Sequence, residues 1–446
     1  MNYIISTIQY SALVNRTLLR NILLFADNHD VEKIYLFVMP GKTIHEEGIA
    51  NILMDNDKIE LLYLGVLGKK LNANLKLHDH KILASMINPL TGQNMKLSRD
   101  FSYILPSPKI RFDSVANTST HPRFLATTGA LTHGNYKDGS NGSSNTAQGR
   151  KAALEHEYGF TFVEVLNNRR FNSYPIAAGK NGNFNHLREF YKNGKVYDQQ
   201  PEALVLGDWH TGDTCPKTRK KTITMIEELK PKRVFFHDLF NAHSINHHER
   251  SNHLSKARLW QEKMHVLQEE VEICLKELNF FAKKFPDIEF LVVESNHDLF
   301  MARYIGIENF LEDGQNSVFS CKLFADMSEN PEAVCLELAM RLVGNIAKNV
   351  KFLDADDDYR IRGVGLGLHG HKGVNGARGS SRSYSNYNLR LITGHEHSPK
   401  IHPKGMVVGT STHLSLGYTK GSPGSWLNAH GLLYSSGKYT LLTLIK

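Results

Sequence analysis

Five short segments carry side chains that bind divalent metals, in a fixed order: Asp208 with His210, Asp238, Asn296 with His297, His369, and His395 with His397. Carboxylate, imidazole and amide donors together suit Mn, Fe, Zn or Ni, whereas a magnesium site is dominated by oxygen. Two such ions roughly 3.5 to 4 Å apart can bind one phosphoryl group, polarise it, hold a bridging hydroxide and stabilise the charge of in-line attack. A single carboxylate can bridge the pair, and Asp238 is placed for that. The chemistry expected is phosphoester hydrolysis. Any one of these histidines alone would be an ordinary core or surface residue; it is the five segments together that point to a site.

The elements that must position them are short buried strands. Each segment follows an apolar, β-favouring run: 203–207, 233–236, 290–293, 364–368 and 389–393. Runs of that length and composition read as strands, so the polar residues fall just past the strand ends, where open α/β sheets place their ligands.

The runs Gly207-Asp208-Trp209-His210, Asp238, Ser295-Asn296-His297-Asp298, His369-Gly370-His371 and Gly394-His395-Glu396-His397 resemble the successive motifs of the calcineurin-like metallophosphoesterase superfamily. The match covers roughly the C-terminal half, and five motifs in register are far more specific than one. The resemblance implies that Asp208, His210 and His397 bind a first metal and Asn296, His369 and His395 a second. Asp238 would then bridge the two, and His297 would protonate the leaving oxygen. It also implies a two-sheet sandwich flanked by helices. Asp238-Leu239-Phe240 further resembles the second motif of the superfamily's double-strand-break repair nucleases. Two positions depart from the pattern, because His237 and Ser295 stand where the family keeps glycine.

Asp298 has two readings. It could bind the far nitrogen of the His297 ring and fix its orientation and protonation, which would make both residues catalytic. It could equally cap the helix that begins near Leu299.

Substrate contacts are expected between His371 and Arg390. There Lys372, Arg378, Arg382 and Arg390 are interleaved with glycines, serines and the aromatics Tyr384 and Tyr387. Cations for phosphates, aromatics for stacking and glycines for close backbone approach are the parts that hold a nucleic-acid strand. The run Lys217–Lys221 is read as a solvated helix face, with phosphate contact as the alternative. His243, His247 and His248 are read as neighbours of the ligands or as surface residues, and the helical pattern from Leu254 to Lys284 as core packing.

The chain has 446 residues, 41% hydrophobic, which predicts two domains: an N-terminal α/β region over 1–200 and a catalytic domain over 201–446. Tyr3 to Ile8, Lys33 to Val38 and Ile59 to Leu64 read as strands and Val14 to Ala26 as a helix. No Gly-rich phosphate-binding motif follows these strands, which favours a structural or oligomerising role for the region, and a homo-oligomer is compatible with the chain. Residues 133–150, rich in Gly, Ser and Asn, read as a mobile surface loop, the alternative being a loop that orders over a phosphate backbone. Met406–Thr410 and Leu441–Ile445 read as strands of the second sheet, and Lys420–Trp426 as a turn-rich rim.

Four cysteines without a close C-x-x-C pair argue against a disulfide framework or a cysteine zinc knuckle. The N-terminus lacks a basic leader and a long apolar region, and no stretch approaches the roughly 18 apolar residues of a membrane span, so a cytoplasmic protein is expected. The net charge of +8 favours an anionic partner. The expected function is a DNA phosphodiesterase using two ions, with Mn the leading candidate. The alternatives are a phosphomonoesterase or nucleotide phosphatase on a small substrate, and a nucleic-acid-binding protein whose metal site is only structural. The stretches His369–Ser380 and Gly409–Thr412 are also similar to the early DNA-degrading nucleases of T5-like bacteriophages, which would place the protein in the host cytoplasm.

Overall fold

The computed structural model describes residues 1–446 apart from 11, 40–55, 64–67, 79–81, 98–99, 120, 137–146, 247–251, 308–309, 385–386, 417–418, 420 and 445–446. Most of the Gly-rich stretch at 133–150 therefore lies outside the described residues, as do His247, His248, Lys420 and the side chain of Arg382. The protein is mixed α/β, and its described strands form three mixed sheets. It divides into two compact units: Met1–Pro201 with Ser398–Val407 and Leu414–Lys446, and Glu202–His397 with Val408–His413.

The first unit contains an eight-stranded sheet. Asn2–Gln9, Val31–Met39 and Ile59–Tyr63 pair in parallel, and the helix Arg16–Asn28 connects the first two. Asn15 starts that helix by accepting a hydrogen bond from the Leu18 amide, and an apolar stripe of Leu18, Ile22, Phe25 and Ala26 is buried. Phe25 meets Phe160, Phe162 and Phe184 edge-on, with ring centroids 5.0 to 5.8 Å apart. Antiparallel strands from Tyr158–Val165 to Lys195–Asp198 complete the sheet.

The second unit is built on four parallel strands, in spatial order Val350–Leu353, Glu289–Val293, Arg233–Phe236 and Ala203–Val205. Their fully buried apolar residues explain why the sequence shows unbroken hydrophobic runs rather than alternation. A second parallel pair, Val364–Gly365 with Arg390–Thr393, carries the later segments.

The helical pattern from Leu254 to Lys284 is two helices, His253–Gln261 and Leu267–Lys284. Lys263 takes a left-handed φ of 57°, which a continuous helix cannot accommodate. The second helix packs as expected, burying Leu267, Val271, Cys274, Leu275, Leu278 and Phe281. Trp260 does not: it is 61% exposed and stacks on His265. All four cysteines are free, and among the described residues no helix is long and apolar enough to cross a membrane.

Candidate metal centre

The five segments converge inside the second unit. Asp208 follows the strand Ala203–Val205, where its amide donates to the Gly409 carbonyl and its own carbonyl accepts from the Ser411 amide. That pairing fixes the backbone and turns the carboxylate inward, fully buried. Ligand-bearing atoms of Asp208, His210, Asp238 and His397 all lie within 4.8 Å of one another. His397 Nε2 is 3.1 Å from Asp208 Oδ2, and His210 Nε2 is 3.4 Å from Asp238 Oδ2.

Asp238 sits between this group and a second one. The same oxygen, Asp238 Oδ2, lies 3.3 Å from His369 Nε2. His369 Nε2 is in turn 3.1 Å from Asn296 Oδ1, and His395 Nδ1 is 3.0 Å from that same amide oxygen. All seven predicted ligands are thus brought together in two sets joined at Asp238.

The donor set fits cations. Asp208 Oδ1 and Asp238 Oδ1 are buried and have no hydrogen-bond partner, and a buried carboxylate oxygen without one is costly. His210 Nε2 and His397 Nε2 face each other at 3.0 Å. Asn241 Oδ1 lies 3.2 Å from His210 Nδ1, and because an amide oxygen can only accept, the His210 proton belongs on Nδ1. That leaves a lone pair on Nε2, the form a metal takes.

Electrostatics follow from burial and proximity. Burial opposes charge on Asp238, yet His369, His297 and His210 hold its carboxyl well below the ordinary range. Burial likewise opposes charge on His369, but Asp238 and Asp208 carry its pKa up to about 9. His210 is pushed down to about 3 by burial.

The backbone at the site is unusual. His210, Asp238, His395 and His397 all have positive φ, between 44° and 75°. Non-glycine residues take that region at a cost of order 1–3 kcal/mol each, and such strain concentrates at functional sites. Gly394 is required by close packing: a Cβ there would lie 2.2 Å from Asp208 Oδ1 and 3.0 Å from His237.

His297 also faces the site, its ring 4.7 Å from that of His210. Its Nδ1 donates to the Asn241 carbonyl at 2.7 Å, leaving Nε2 for chemistry. Asp298 is not the orienting partner. It is the fourth member of a capping box, accepting from the Ser295 amide while Ser295 Oγ accepts from its own amide. Ser295 therefore starts the helix Asn296–Gly306. Burial raises the Asp298 pKa to about 7.

Asn241 and Asp213 hold the candidate ligands and carried no sequence signal of their own, while His237 had shown only as a departure from glycine. Asn241 places one carbonyl on His210 and another on His297, and its amide nitrogen is fixed by Asp213 Oδ2 at 2.8 Å. His243 approaches the same Asp213 oxygen at 3.1 Å, so it is a neighbour of the ligands as expected. His237 Nδ1 lies 3.3 Å from His369 Nδ1, on the side of the ring away from Asp238. Contacts of that kind set the tautomer and direction of a ligand ring.

The predicted substrate residues divide. Lys372 and Arg378 are exposed and face each other across a short backbone bridge. Tyr384 is buried, and its hydroxyl lies 2.6 Å from the Gly370 carbonyl and 2.7 Å from that of Lys372, so it anchors the loop instead of presenting a stacking face. Tyr387 is half-buried against Tyr384. Arg382 belongs to the short helix Ser381–Tyr384. In the basic run, Lys217, Lys220 and Lys221 are exposed, while Arg219 is paired with Glu277 and lies over Phe280.

Over 310 residues the chain is 27% identical to Protein A1 of Escherichia phage T5, a match that spans 66% of this chain and 55% of that protein. The chain therefore matches little more than half the length of that relative. No family model matches the chain, and no solved structure does.

Proposed function

We propose that this protein is a metal-dependent phosphodiesterase that hydrolyses DNA. The observation that carries the reading is the position of Asp238, whose one carboxylate oxygen reaches imidazoles of two separate donor sets. Asp208, His210 and His397 would hold one ion, Asn296, His369 and His395 another, and Asp238 would be shared. Two divalent ions there, Mn being the leading candidate, would polarise a phosphoryl group and supply a nucleophile near neutral pH.

The chain's own residues do the rest. Asn241 keeps the His210 proton on Nδ1 and so its lone pair on Nε2. The Asn241 carbonyl likewise holds the His297 proton on Nδ1, and a second proton on Nε2 can be given to the leaving oxygen. Trp209 and Leu239, next to the candidate ligands in sequence, are buried. Exposed Lys372 and Arg378, on a loop that begins at His369, supply cations for a phosphate backbone. The charge of +8 supports a polymeric anion over a small one. Similarity to a phage T5 protein supports a phage source and action in the cytoplasm of an infected cell.

The test is purified protein with Mn on linear duplex DNA, single-stranded DNA, RNA and a nucleoside monophosphate. Loss of long DNA is expected, with both Asp238→Asn and His297→Ala lowering the rate by at least about a hundredfold. Turnover of the monophosphate alone would sink the nuclease reading, and full activity in both variants would sink the site assignment.

A further inference from the structure

His237 directly precedes the shared carboxylate of Asp238, and its ring is fully buried beside that of His369, with centroids 5.4 Å apart. Backbone and packing fix it there. Its carbonyl accepts from the Trp209 amide at 2.9 Å, and Gly394 leaves the space its side chain fills, since a Cβ at 394 would lie 3.0 Å from both Cβ and Cγ of His237. The two rings meet through their Nδ1 atoms, 3.3 Å apart.

The direction of that contact follows from the far side of His369. There Nε2 meets Asp238 Oδ2 at 3.3 Å and Asn296 Oδ1 at 3.1 Å. A ligating imidazole presents a lone pair, so with Nε2 used in this way the His369 proton sits on Nδ1 and must be donated. Its acceptor is His237 Nδ1, which puts the proton of His237 on Nε2. That nitrogen is buried and has no hydrogen-bond partner. An unpaired buried donor costs stability, so the sequence keeps this ring at a penalty for the work of its other nitrogen.

The two donor sets also differ in charge. The first holds Asp208 together with the shared Asp238, and its ligand atoms lie within 4.8 Å of one another. The second shares Asp238 but otherwise offers an amide oxygen and two imidazoles. Affinity for a divalent ion rises with the negative charge of its donors. A carboxylate behind a ligating histidine would raise the basicity of that ring, and here a neutral nitrogen stands in that place.

We propose that His237 is the positioning residue of the second donor set: it accepts the Nδ1 hydrogen of His369, holds the His369 lone pair on Nε2, and leaves this set the weaker, exchangeable half of the centre. The inference rests on the two-ion part of the reading above and not on the substrate.

The test titrates Mn into the full chain, with free Mn read by electron paramagnetic resonance. Two steps of unequal affinity are expected, and Asn296→Ala should abolish the weaker one. His237→Phe keeps a ring and removes the acceptor; it should weaken the second step at least about tenfold and leave the first unchanged. His237→Asn, whose amide oxygen can stand near the place of Nδ1, should recover most of that loss. Nitrogen NMR of the unaltered Zn-loaded protein reads the same contact without the Phe variant and should show His369 protonated on Nδ1 and His237 on Nε2. A single step for both ions, an equal loss on both steps in His237→Phe, or a His237 proton on Nδ1 would each overturn the proposal. DNA cleavage accompanied by any of those results leaves the nuclease standing. The expected Mn steps and proton positions in a protein that cuts no DNA keep the role of His237 and remove the nuclease.

Discussion

Asp238 and His369 tie the metal centre to pH. In the metal-free protein His369 keeps a proton up to about pH 9, because Asp238 and Asp208 outweigh the burial that opposes its charge. A metal needs the neutral ring, so binding must displace that proton. Mn affinity should therefore rise with pH and level off near pH 9, with proton release detectable by calorimetry in buffers of different ionisation enthalpy. No proton release at pH 7 would remove His369 from the ligand set. Asp298 gives a second expectation, now that it is a cap. Its folded pKa of about 7 exceeds the ordinary value of 3.8, so between those values the native state binds more protons than the unfolded one. Stability contributed at low pH is thus lost as pH rises through that window. Asp298→Asn keeps an acceptor for the Ser295 amide and should flatten this dependence in thermal melts from pH 4 to 8 while retaining activity. Asp298→Ala loses the cap and should cost about 1 kcal/mol. Loss of kcat in Asp298→Asn with metal bound would restore the orienting role.

Turns, more than strands, shape the site. The strands end as their apolar runs end, and four of the ligands then enter left-handed backbone conformations. Gly394 shows how little room the arrangement leaves. Gly394→Ala should cost Mn affinity at least about tenfold, because its Cβ would occupy the place of Asp208 Oδ1, while the rest of the fold is kept. Isothermal titration beside circular dichroism separates the two effects. That the candidate ligands would lie together was legible in the sequence, because strand runs are strong signals and the polar residues fall just past their ends. The contacts that orient them were not. Asn241 acts through a backbone carbonyl as well as its side chain, and a carbonyl has no sequence signature. Tyr384 read as a stacking residue because its spacing cannot reveal that its hydroxyl turns inward to Gly370. The break at Lys263 was equally silent, since lysine is an ordinary helix former.

At the scale of the chain, charge sets the salt response. If DNA is held by its phosphates, binding should fall steeply with salt, and Lys372→Ala with Arg378→Ala should reduce the slope of log affinity against log salt by about 1 to 2. An unchanged slope would move the phosphate contacts elsewhere. The early strands and the first helix were legible at nearly their true bounds, because a buried parallel strand and an amphipathic helix both declare themselves in hydrophobic pattern. The return of Ser398–Val407 and Leu414–Lys446 to the first unit was not, since pairing partners far apart in sequence leave no local trace. The pairing of Asp208 with Gly409 and Ser411 is of the same kind, spanning some two hundred residues. It also sets a clock. A nascent chain leaving the ribosome carries Asp208 and Asp238 long before the segment that turns the Asp208 carboxylate inward has been made. The candidate metal site assembles only after residue 411 has emerged, so an incomplete chain lacks the backbone pairing that fixes Asp208.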